Sequence, residues 1–125
     1  MKTATLEQVE TQLLPIAKYP AAIEAAEIAY NQQCSLERVQ KLEVDDFDGD
    51  FEIQIAGNKA CNNEQERKAK RATLRKGQAY RKSLGALHKI LDDKATAYAR
   101  LNRLRNEFRI VLSQHNLTIP GVNEN

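Results

Sequence analysis

From residue 78 to residue 115 the chain repeats apolar residues with a period that suits one long helix and little else. With Leu84 set at position a of a heptad, the a positions are Leu84, Leu91, Tyr98, Arg105 and Leu112. The d positions are Leu87, Lys94, Leu101, Phe108 and His115, so seven of the ten are apolar. Ile90, Ala97, Leu104 and Val111 fall at g and widen the stripe to about three sevenths of the helix surface. Such a helix touches more than one partner. At about 1.5 Å per residue it spans roughly 57 Å, longer than a compact globule of this chain length is wide. The pattern predicts an all-α fold, an elongated helical hairpin or coiled-coil-like bundle, self-associating as a dimer or higher bundle. The expected packing seam is Leu84, Leu87, Leu91, Tyr98, Leu101, Leu104, Phe108 and Leu112. Lys94 and Arg105 interrupt it, with buried stems and heads that reach water or a carboxylate.

Composition agrees with helix. Ala, Glu, Lys, Leu and Arg supply 59 of 125 residues, whereas Gly and Pro supply 8, too few for the turns of an all-β sandwich. The length allows one domain and excludes a cofactor domain joined to a substrate domain. No run of 18 apolar residues occurs and the first residues carry Glu7 and Glu10, so neither a membrane span nor a signal peptide is expected. Cys34 and Cys61 form no Cys-x-x-Cys pair, which points to reduced thiols in a cytoplasmic setting.

Along the chain, Thr5, Leu6, Val9 and Leu13 predict a short capped helix within 1–19 that Pro15 stops or kinks. Pro20 then opens an acidic helix over 20–43, where Ile23, Ala26, Tyr30 and Cys34 recur at helical spacing. The pattern resumes at Leu36, Val39 and Leu42 with its phase shifted at Ser35. Over 44–62 the period changes. Phe51, Ile53 and Ile55 alternate with Glu52 and Gln54 behind an Asp48-Gly49 turn signal, so two alternatives stand: a β-hairpin of 43–47 with 50–55, or a mobile acidic connector. Asn63 with Glu66 predicts a helix start. A basic long helix follows over 63–116, with a break at Gly77 read as a C-cap. The tail 117–125 is expected to fray.

Charge divides the chain sharply. Residues 1–63 carry 5 Lys or Arg against 11 Asp or Glu, and residues 64–125 carry 14 against 6. Within 67–91 there are nine cations and no acid. On one continuous helix Arg67, Lys70, Arg71, Arg75, Arg81, Lys82 and Lys89 would share an arc of about 140°, opposite Tyr80, Leu84, Leu87 and Leu91. Cations so placed can contact the phosphates of DNA or RNA without sequence preference, although no aromatic residue joins the arc to stack on bases. The competing reading is a solvated face neutralised by the acidic half through Glu37, Glu43, Asp45 and Asp46.

Other chemistry is poorly served. The run Asp45-Asp46-Phe47-Asp48-Gly49-Asp50 fails as a calcium loop, because Val44 and Ile55 stand where carboxylates are required. His88 and His115 lie 27 residues apart on one predicted helix and cannot converge within a chain. No phosphate-binding glycine loop or nucleophile elbow is present. The expectation is therefore a protein that acts by interaction, not an enzyme, with no metal and no cofactor.

The run Asn63-Glu64-Gln65-Glu66-Arg67-Lys68-Ala69, followed by Tyr80 and a long amphipathic helix ending at Phe108-Arg109, resembles short, mostly helical proteins encoded in phages and prophages. The resemblance covers residues 20–112. Gly77-Gln78-Ala79 stands where those proteins carry an acidic, proline-containing break, and the alternation from Phe51 to Ile55 is longer than theirs. The resemblance implies a small accessory protein, in some cases associated with DNA recombination or replication, and brings no catalytic residues with it.

Overall fold

The computed structural model describes residues 13–115. It is all-α: a single 3₁₀ turn at Ile16–Lys18 leads into α1 (Tyr19–Ala56), α2 (Glu64–Leu74) and α3 (Gln78–Gln114). The short helix expected within 1–19 falls largely outside the described residues, as does the tail. Pro15 caps the 3₁₀ turn through its carbonyl, which accepts from Lys18 N at 2.9 Å.

α1 runs 38 residues without interruption, which overturns both alternatives over 44–56 and leaves 57–62 as the connector. Residues 44–56 are helix, neither hairpin nor mobile connector, and the acidic helix ends at Ala56 instead of residue 43. The physical reason lies in a second periodicity. Val44, Phe47, Phe51 and Ile55 are spaced by three, four and four, which puts them on one helix face. Phe51 and Ile55 therefore serve a helical face as well as they would serve a strand. Burial of Val44, Phe51 and Ile55 selects the helix. Asp48-Gly49 is carried within it, at the cost of about 1 kcal/mol that an interior glycine imposes.

The connection after α1 is short. Gly57 N and Asn58 N bond back to the carbonyls of Ile53 and Ile55, and the Asn58 side chain accepts from Ala60 N at 2.9 Å. Asn63 then caps α2 as expected: its side chain accepts from Glu66 N at 2.8 Å. Glu66 returns the favour one residue earlier than a capping box would, accepting from Asn62 N at 3.1 Å and from the Asn63 amide at 3.0 Å. The basic helix does break near Gly77, but that glycine is no C-cap. The cap of α2 is Arg75, in right-handed conformation, and Gly77 does not occupy the left-handed region. Gly77 N closes the turn onto Leu74 O at 3.1 Å, and its carbonyl accepts from Arg81 N as the first turn of α3.

The chain divides into two compact units. In the first, which takes in described residues 13–31 and 95–115, Tyr19, Ala26, Leu101, Leu104 and Val111 form the core. Tyr19 is fully buried and stacks on Phe108 with ring centroids 5.3 Å apart. Its hydroxyl accepts from Leu14 N at 3.2 Å, which satisfies the polar end of a buried ring. Arg105 reaches Glu27 at 3.5 Å.

In the second unit, Gln32–Lys94, the core is Val44, Phe51 and Tyr80, packed by Phe47, Leu74, Leu84 and Leu87. Phe47 meets the Tyr80 ring edge to face at 6.0 Å, and Phe51 lies against the same ring at 5.4 Å. This is the arrangement that the ring quadrupole favours. Of the expected seam, Leu101, Leu104 and Leu112 are buried and Leu84, Leu87 and Phe108 half-buried, but Leu91 and Tyr98 are 39% and 50% exposed.

Candidate functional site

The seven cations of the expected stripe do not share one helix. Arg67, Lys70 and Arg71 sit on α2, Arg75 caps it, and Arg81, Lys82 and Lys89 sit on α3. The turn at Arg75–Gly77 restarts the helical phase, so the single arc does not form as drawn on a continuous helix. Three of the seven are also committed to carboxylates. Arg71 grips Glu52 of α1 with Nε and, at 3.1 Å, with Nη2, a two-pronged contact that suits guanidinium and carboxylate geometry. Arg75 Nε donates to Asp48 at 2.9 Å, and Lys89 pairs with Asp93 one turn along its own helix at 3.2 Å.

These bonds leave a mark on the acids. The Glu52 carboxyl is held below the ordinary glutamate range by the Arg71 hydrogen bond, and Arg71 is raised by the same contact. Neutralisation by the acidic half therefore takes place, but through Asp48 and Glu52. Of the acids expected to do it, Glu37 is engaged by Lys94 at 2.7 Å and Glu43 by Ser83 and Gln40. Asp45 and Asp46 enter no ion pair among the described residues. Arg67, Lys70, Arg81 and Lys82 also lack an ion pair among those residues, and Arg67, Arg81 and Lys82 are exposed.

Lys94, which interrupts the seam, behaves as its position predicts, with a half-buried stem and its ammonium on Glu37. The Glu37 carboxyl is lowered in turn by that hydrogen bond. One turn further along α1, Gln40 Nε2 donates to the Ser83 carbonyl and hydroxyl, each at 2.9 Å, and to Glu43 at 2.7 Å. The Ser83 hydroxyl donates to Glu43, whose carboxyl this holds low, with the Gln40 amide second in effect. Ser83 is only 5% exposed, and the cluster leaves no polar atom of it orphaned.

The other feature is apolar. On α1, Leu36 is 50% exposed, Leu42 64% and Val39 68%, around a shallow groove lined by Ser35, Arg38, Val39, Lys41, Leu42 and Asp45. Sequence reading registers these leucines and the valine as a phase-shifted continuation of the packing face. In the structure the shift at Ser35 separates two faces of one helix. Gln40, Val44 and Phe51 point inward, Val39 and Leu42 face solvent, and Leu36, half exposed, lies at the edge of the packed face. The signal was the 3,3 spacing out of phase with Tyr30 and Val44.

Among the described residues no three His, Cys, Asp or Glu side chains gather to hold a metal ion. His115 bonds the Val111 carbonyl on its own helix at 2.9 Å, and His88 is exposed. No helix is long and apolar enough among these residues to cross a membrane. No family model, curated protein or solved structure matches the chain.

Proposed function

We propose that this chain is a non-enzymatic helical interaction module that works by self-association. The observation that carries the reading is the exposure of Leu36, Val39 and Leu42 on a helix that is already packed through Val44, Phe47 and Phe51. Side chains of this size cost free energy in water, roughly 1.5–3 kcal/mol each relative to burial, and three at helical spacing make a face that a partner helix can cover. Sedimentation velocity over a concentration series tests it: a weight-average sedimentation coefficient that rises with concentration is expected. A concentration-independent monomer refutes it.

A second reading rests on a separate observation, the exposed cations Arg67, Arg81 and Lys82 without ion pairs among the described residues. Together with Lys70 they could contact the phosphates of DNA or RNA, in the accessory role that the phage-type resemblance implies. The commitment of Arg71, Arg75 and Lys89 to carboxylates weakens this reading, because a polyanion would have to displace those pairs. Fluorescence anisotropy of labelled single- and double-stranded DNA decides. Binding here would involve about four phosphates and fall with a log–log salt slope near −3 to −4. Absence of binding at about 50 mM salt removes the reading.

A further inference from the structure

We infer that the outer face of α1 is covered by the same face of a second copy, antiparallel, about a two-fold axis midway between Gln40 and Lys41. The inference rests on the self-association proposed above and specifies its surface, orientation and register.

Residues along the outer face of the helix complement one another in this register. At 100° per residue, Gln32, Ser35, Val39, Leu42, Asp46, Gly49 and Ile53 fall in one arc of about 100°, away from Val44, Phe51 and Ile55. Ile53 is exposed like the others. A two-fold axis at the stated point brings together residues whose numbers sum to about 81. Val39 then lies on Leu42 of the other copy, and Leu42 on its Val39, so two exposed apolar pairs close the centre. Outward from there the Ser35 hydroxyl meets the Asp46 carboxylate, and the Gln32 amide lies against Gly49 and Asp50.

In antiparallel pairing each flank faces its own kind, so Arg38 comes beside Asp45 of the other copy, offset by about 3 Å along the axis. Arg38 and Asp45 both line the groove at the centre of this face and enter no ion pair within the chain among the described residues. Every polar group in the arc thus finds an opposite, twice over by symmetry. A parallel arrangement fails the same examination. It sets Asp46 on Asp46 at the seam, and it turns Arg38 toward Glu43, which is already held by Ser83 and Gln40.

The area sets the strength. Val39, Leu42 and Ile53 offer on the order of 100 Å² each, well below the ~800 Å² per partner of a standard stable interface. The dimer is a weak one that forms at micromolar concentration and above.

Sedimentation velocity from about 1 to about 300 μM on the full chain tests the inference, with far-UV circular dichroism to verify helix content. Val39→Glu is expected to raise the dissociation constant at least ~10-fold, and Leu42→Gln serves where Val39→Glu alters helicity. Arg38→Glu and Asp45→Lys are each expected to weaken the dimer about threefold, and the double variant to recover it. Association unaffected at Val39 and Leu42 would overturn this face while leaving self-association standing. Weakening at Val39 without recovery in the double variant would overturn the antiparallel register. A monomer at every concentration would overturn both the inference and the reading beneath it.

Discussion

Gly49 is the position at which the structure and the sequence pattern disagree in sign, so its replacement by alanine is informative. In α1 the residue has helical geometry, and a Cβ built on it meets nothing within 4 Å. Alanine then removes the helix cost of glycine, about 1 kcal/mol, with no steric penalty. Unfolding entropy near 2.1 cal/mol/K per residue over about 100 residues is roughly 0.2 kcal/mol/K, so Gly49→Ala should raise Tm by about 4–5 °C. Had Asp48-Gly49 formed a two-residue hairpin turn, the glycine would need positive φ, and alanine would cost about 1–2 kcal/mol and lower Tm by a similar or larger amount. Thermal melts by far-UV circular dichroism, at protein concentrations low enough to hold the monomer, read the sign directly. Gly77→Ala is the matched control. There a Cβ would sit 3.2 Å from the Leu74 carbonyl oxygen, and no such gain is expected. A lower Tm for Gly49→Ala would refute a helix through residues 48–50.

Phe51→Ala removes the ring that packs between Val44 and Tyr80 and should cost about 3–5 kcal/mol, read as a lower denaturant midpoint at unchanged slope. Asn63→Ala deletes the α2 cap and should cost about 1 kcal/mol in the same assay, with Asn63→Asp close to neutral. Acid should destabilise the fold through Glu37, Glu43 and Glu52, whose carboxyls are all held low by hydrogen bonds. Because their folded values lie below the unfolded one, their contribution is complete above the ordinary value of about 4.3 and is lost as pH falls through the lowered values. Melts across pH 3–6 should show a steeper acid loss for the parent chain than for a Glu43→Gln variant. Equal pH dependence would remove Glu43 from that account.

The long helix and the α2 cap were legible because each rests on local signals, a sustained heptad and Asn63 three residues before Glu66. Residues 44–56 were not, because Phe51, Ile53 and Ile55 fit period two while Val44, Phe47, Phe51 and Ile55 fit period 3.6, and what decides is the Tyr80 ring some 30 residues away. The acidic partners of the basic stripe followed from the same error. Asp48 and Glu52 point at α2 when 44–56 is helical, whereas Asp46 lies about 120° away from Glu52 around the helix and Asp45, seven residues before Glu52, shares its direction but sits about 10 Å back along the axis. Lys94 was legible for the opposite reason, since a lysine at a seam position has few places to put its ammonium. The exposed row at Leu36, Val39 and Leu42 was visible as a phase shift, but a phase shift does not say whether a helix bends or has two faces.

The cluster of Gln40, Glu43 and Ser83 has a consequence for how the gene can change length. An apolar seam forgives a slip of one heptad, since one leucine replaces another. A buried hydroxyl satisfied from a single turn of α1 does not, and the Phe47–Phe51–Tyr80 rings fix the same pairing four to eight residues beyond Glu43. Insertions or deletions between residues 43 and 51, even of seven residues, which preserve the helix face, would force these two contacts out of step. Length variation among descendants of this chain should therefore avoid that segment and collect in the exposed positions of the turn at 57–60, where it leaves both contacts in register.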